Sequence, residues 1–96
     1  MVQSFGDQAT EDIFHGISSK RALKIPKSIW AVARRKLDMV HAAYELTDLR
    51  VPPGNQLKKL ERKWAGRYGI RVNDQYRILF KWLGHDAAGV QIVDYH

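Results

Sequence analysis

The stretch Tyr76-Arg77-Ile78-Leu79-Phe80-Lys81-Trp82-Leu83 decides the fold. Tyr76, Ile78, Phe80 and Trp82 share one side; Arg77, Leu79 and Lys81 share the other. A period of two marks a β-strand with one face on a core and one face open. Upstream, Tyr68-Gly69-Ile70-Arg71-Val72 alternates in the same way, and Asn73-Asp74-Gln75 between the two is suited to a tight turn. Downstream, Gly84-His85-Asp86 turns the chain again into a strand over Gly89–Tyr95. Consecutive strands joined by such short turns pair antiparallel.

Working further back, Val51-Pro52-Pro53-Gly54-Asn55 forbids helix or central strand and demands a turn. A short strand fits between it and the charged loop Glu61–Gly66, over Gln56–Leu60. Before the prolines the period is helical. Trp30, Ala33, Leu37, Val40 and Tyr44 recur at spacings of 3, 4, 3 and 4, which predicts a long helix over Lys27–Leu46 opened by Pro26. Its apolar stripe faces the sheet, while Arg34, Arg35 and Lys36 form a solvated face and His41 lies on the surface. A shorter helix is predicted over Gln8–His15, capped by Asp7 and ended by Gly16. The polar segment Ile17–Ile25 reads as a connector and the most mobile part of the chain. Val2-Gln3-Ser4-Phe5 reads as a short strand joining the sheet. The expected fold is α+β: a small antiparallel sheet with two N-terminal helices packed on one face, as a single domain over residues 1–96.

Sixteen Lys and Arg oppose ten Asp and Glu, a net charge of +6. The excess is concentrated between Lys58 and Lys81, where Trp64, Tyr68, Tyr76 and Phe80 are interleaved with basic residues and the acids are Glu61 and Asp74. That mixture suits a polyanionic partner, nucleic acid first. With no cysteine, a disulfide framework and thiolate metal sites are excluded. His15, His41, His85 and His96 have no metal-ligand spacing, so no metal and no cofactor is expected. The opening Met1–Asp7 has no signal-peptide pattern, and no apolar run approaches the roughly 20 residues that span a bilayer. A soluble, cytoplasmic protein without membrane contact is the expectation.

The open face of the predicted sheet carries Arg77 and Lys81, with Lys58, Lys59 and Arg71 from the neighbouring strands as further phosphate-binding candidates. The stretch ends in Asp94-Tyr95-His96, a carboxylate, a phenol and an imidazole together at a strand tip. Cleavage of RNA through its own 2′-hydroxyl needs a base, an acid for the leaving 5′-oxygen, and cations around the phosphorane. His96 and Tyr95 can carry protons, Arg77 and Lys58 can hold the phosphate, and Asp94 can orient His96 or pair with Arg77. Strand parity sets Asp94 and His96 on one face and Tyr95 on the other, so one site needs a bent tail.

These residues resemble the HigB branch of the RelE-like toxins of type II toxin–antitoxin modules. The resemblance rests on Pro52-Pro53-Gly54-Asn55 with Leu57 and Leu60, on Ile70-Arg71-Val72-Asn73-Asp74-Gln75-Tyr76-Arg77 with Phe80 and Trp82, and on Ile92-Val93-Asp94-Tyr95-His96. It implies a ribosome-dependent endoribonuclease that cuts mRNA in the A site. It also implies a cognate HigA-like helix-turn-helix antitoxin, with operator DNA bound only through the toxin–antitoxin complex. The functional positions implied are Arg77, Asp94, Tyr95 and His96, with Lys58 before them. Two departures are visible: some members carry His in place of Lys58, and many carry Gly-Asp-Arg in place of Arg62-Lys63-Trp64. A gyrase-inhibiting relative of the ParE branch, without nuclease activity, is the alternative. A non-catalytic RNA-binding module is a third reading.

Overall fold

The computed structural model describes residues 1–95. Helix α1 is Gln8–Phe14 and helix α2 is Trp30–Ala42. The strands are β1 (Lys58–Lys59), β2 (Tyr68–Arg71), β3 (Tyr76–Leu83) and β4 (Asp86–Asp94). They form one sheet in the order β1-β2-β3-β4, every neighbour antiparallel. The α+β meander with helices on one face is therefore as the alternation predicted. Asn73 makes the β2–β3 turn by accepting from the backbone N–H groups of Gln75 (2.8 Å) and Tyr76 (2.7 Å) through its Oδ1.

The helices cover the Ile78/Phe80 face. Ala33, Leu37 and Val40 of α2 and Ala9 and Ile13 of α1 are buried with Ile70, Ile78, Phe80, Val90 and Ile92. Asp7 caps α1 by accepting from Thr10 N–H at 2.8 Å. Thr10 in turn accepts from the Ile92 N–H at 2.9 Å, which fixes α1 against β4. The N-terminal segment runs along the same strand, parallel to it, through isolated bridges Val2–Ala87 and Phe5–Val90 rather than as a continuous strand. His41 was expected on the surface; it is half-buried and accepts from the Val2 N–H at 3.1 Å.

Several expectations are corrected. The long helix ends at Ala42, not Leu46, because Glu45 and Asp48 form a capping box for a following 3-10 turn, Leu46–Arg50. Tyr44 therefore leaves the stripe: it is 64% exposed and stacks on His85, with ring centroids 3.9 Å apart. Lys36 is not on a solvated face. It is buried, and its ammonium donates to Oδ1 of Asn55, itself fully buried. The Pro-Pro-Gly-Asn turn folds back over α2 and covers it, which helical periodicity alone does not reveal. The segment Ile17–Ile25 is fastened rather than loose: buried Asp12 accepts from Ser19 Oγ at 2.6 Å and from Gln8 at 2.9 Å, with Arg21 at 3.6 Å. These donors, Ser19 foremost and then Gln8, hold the Asp12 carboxyl below its ordinary pKa.

The second face of the sheet is not fully open either. Leu79 is completely buried there and meets Leu60 over Gly69, where an added Cβ would lie 2.9 Å from Leu79 Cδ2 and 3.5 Å from Leu60 Cδ1. β4 begins at Asp86 instead of Gly89. It carries one residue more than β3 across the register shift between Leu79 and Lys81, beside Gly89 at φ +60°.

Candidate functional site

Register decides which candidates share a face. Arg71 pairs with Arg77, Arg77 with Val93, Gly69 with Leu79, and Lys58 with Gly69. Directly paired residues point the same way, so Lys58, Arg71, Arg77 and Val93 lie on the face away from the helices. Tyr95, two residues after Val93, continues on that face, and its N–H donates to the Gln75 carbonyl at 2.8 Å. Its ring has Lys58 Nζ at 5.1 Å and the Arg77 guanidinium carbon at 5.3 Å, both within cation–π reach. Lys58 is on the edge strand β1 and Arg77 two strands away on β3, and the sheet brings both cations against one phenol.

Arg77 is half-buried. Its Nη2 reaches Gln56 Oε1 at a long 3.4 Å, and its Nη1 is buried with no hydrogen-bond partner among the described residues. Next to it lies a shallow cleft of ≈ 260 Å³ lined by Lys58, Lys59, Leu60, Glu61, Arg62 and Tyr95. Such a hollow, with cations and a phenol at its rim, can seat a phosphate and leave the phenol in reach.

The remaining candidates divide. Asp94 has the parity of the core-facing Ile92, opposite Tyr76, and accepts from Gln75 Nε2 at 2.9 Å. By parity it thus lies on the other side of the strand from Arg77. Arg71 shares the face of Arg77 but is taken up by an ion pair with Asp74. Lys59 points opposite to Lys58 by parity yet lines the cleft. Lys81 is exposed and four residues along β3 from Arg77, about 13 Å at the usual strand rise, and so stands apart. His96 lies outside the described residues. Sequence reasoning missed Gln56, Arg62 and Gln75. Gln75 was legible in principle, since the turn closing β2 and β3 also abuts the tip of β4.

By fold the chain is a RelE-like α+β protein. All of it aligns with 98% of one chain in the YoeB–YefM complex from Staphylococcus aureus, with a TM-score of 0.56 and 18% identity. Residues 3–96 match the family model of the RelE-like toxin of type II toxin–antitoxin system HigB, and the chain belongs to that family. It is 41% identical over 83 residues to Toxin HigB-1 of Vibrio cholerae serotype O1, covering 86% of this chain and 85% of that protein. It is 49% identical over 69 residues to an uncharacterised Haemophilus influenzae protein, covering 72% and 68% of the two. Among the described residues no helix is long and apolar enough to cross a membrane.

Proposed function

We propose that this toxin is a ribosome-dependent endoribonuclease that cleaves mRNA by metal-independent attack of the 2′-hydroxyl on its adjacent phosphorus. The observation that carries the reading is the placing of the Tyr95 ring between Lys58 and Arg77, 5.1 and 5.3 Å away. In this reading the Arg77 guanidinium and Lys58 hold the scissile phosphate and stabilise the charge that grows on its oxygens. Tyr95 and His96 move the protons, one from the 2′-hydroxyl and one to the leaving 5′-oxygen. Asp94, anchored by Gln75, steadies the strand tip that carries them. Lys59 extends the cationic rim, and Arg71 and Lys81 act at longer range. A helix-turn-helix antitoxin neutralises the protein and binds operator DNA on behalf of the pair.

Mapping of mRNA 5′ ends after brief induction tests this. Wild type should give new ends within translated frames that persist with EDTA present in the extract. Deleting His96, or Arg77→Ala, should remove those ends while circular dichroism shows the fold intact. Undiminished cleavage in both variants would reject the site. Induction of the DNA-damage response without mRNA cuts would reject the nuclease in favour of gyrase inhibition.

A further inference from the structure

Beside the cleft, the β1–β2 connection presents a tryptophan that the core does not use. Trp30 and Trp82 pack against the buried cluster; Trp64 is not among the residues that do. It is half-buried on a loop closed by Leu60 N–H donating to the Arg67 carbonyl (2.9 Å) and Trp64 N–H to the Glu61 carbonyl (3.2 Å). Leu60 anchors that loop beneath Gly69 and Leu79. The indole has two cations against it, Lys63 Nζ at 5.3 Å and the Arg67 guanidinium carbon at 5.7 Å. Arg67 Nε is buried and lacks a partner among the described residues. Arg62, on the same 3-10 turn as Trp64, lines the Tyr95 cleft, with its backbone at φ +59°. Lys58, Lys59, Arg62, Lys63 and Arg67 face a single acid in this stretch, Glu61.

The geometry points to Trp64 as a stacking platform for a base of a single-stranded RNA whose backbone runs over Arg62, Lys63 and Arg67 into the Tyr95 cleft. A flat indole held outside the core, surrounded by cations, serves a strand that offers both π-faces and phosphates. An acidic peptide would use the cations and leave the ring with no matching surface. This deepens the nuclease reading and rests on it for the identity of the strand: Trp64 would set how firmly, and at which neighbouring base, the message is held.

The test uses a fluorescently labelled 2′-O-methyl hexaribonucleotide, which cannot be cleaved, and follows anisotropy against protein concentration over a salt series. Trp64→Ala should weaken binding about 5- to 150-fold, the usual range for losing one stacked base. It should leave the salt slope unchanged, and Trp64→Phe should restore most of the affinity. Lys63→Gln should lower the slope of log affinity against log salt by about 0.7, the value for one phosphate contact on a single strand. Equal binding by wild type and Trp64→Ala would overturn the inference while leaving mRNA cleavage untouched. Trp64-dependent binding by a wild type that cuts no mRNA would uphold the platform and reject the nuclease. Loss of antitoxin binding in Trp64→Ala with RNA binding unchanged would overturn the inference in favour of a protein-docking loop.

Discussion

Asn55→Ala is expected to be the most damaging polar substitution, because Asn55 holds together three parts of the chain. Its Oδ1 accepts from the buried Lys36 ammonium, and its Nδ2 donates to the Leu49 carbonyl at 3.1 Å and, more weakly, to the Val51 carbonyl at 3.4 Å. Truncation removes a hydrogen bond to a charge, about 1.5–3 kcal/mol, and strands a buried carbonyl, about 1 kcal/mol more. The sum is about 3 kcal/mol, a large share of the 5–15 kcal/mol typical of a domain and equivalent to roughly 12–24 °C in Tm. Lys36→Met should cost only about 1 kcal/mol, since it also removes the burial of a charge. The two changes together should therefore cost about as much as Asn55→Ala alone or less. Urea unfolding followed by tryptophan fluorescence measures all four corners of the cycle. Additivity within about 0.5 kcal/mol would refute the reasoning, since residues in one hydrogen-bonded pair must couple. The same variant should also lose toxicity below its melting temperature. Gln56, next in the chain and held at φ +48°, is the residue that meets Arg77.

Three further outcomes follow from the packing and the charges. Burial, and next the nearby Arg35, depress the pKa of Lys36. The unfolded chain therefore binds more protons over the interval between that lowered value and the ordinary one near 10.4, so wild-type stability gains a Lys36 contribution as pH rises through it. Lys36→Met should remove this alkaline gain in urea titrations run side by side, and identical pH curves would count against it. For Asp12 the sign is the same but the window is acidic: its lowered pKa gives stability present above about pH 4 and lost as pH falls towards the folded value, and Asp12→Asn should flatten that acid limb in thermal melts. Gly69→Ala forces a methyl to within 2.9 Å of Leu79 Cδ2, which should cost about 1–3 kcal/mol as overpacking and loosen the Leu60 anchor; a Tm unchanged from wild type would show that Leu79 has room to move.

How much of this was legible depends on where each residue's partner lies. Tyr76–Leu83 is read correctly because its period depends on the residues themselves and on a sheet that sequence neighbours build. The Asn73 turn is read for the same reason. Lys36 is misread because what buries it is Asn55, 19 residues further on. Tyr44 is misread because the Glu45–Asp48 capping box competes with helix continuation and wins. Leu79 looked like part of an open face because Leu60, just past a two-residue strand too short to show a period, reaches it over the bare Gly69 of β2. In the candidate site, parity correctly separates Tyr95 from Asp94, and Arg77 and Lys58 fall where alternation puts them. Arg71 is drawn off by Asp74, a pairing local enough to have been foreseen.

The placing of Tyr95 is a consequence of register. A slip of one residue between β3 and β4 would turn the whole of β4 over. Asp94 would then stand beside Arg77, and Tyr95 would face the helices. Two features oppose the slip. Ile78 and Ile92 must both face the core, where they are 0% and 3% exposed, and they lie directly opposite one another. Gly89, at a left-handed φ that a side chain resists, absorbs the extra residue of β4 beside Phe80, so the strand can meet the N-terminal segment at one end without shifting the other. The bond from Tyr95 N–H to the Gln75 carbonyl then extends the same register one residue beyond the strand. The burial of two isoleucines and one bulge thus determine which ionisable group stands between Lys58 and Arg77, and hence which chemistry that end of the sheet can support.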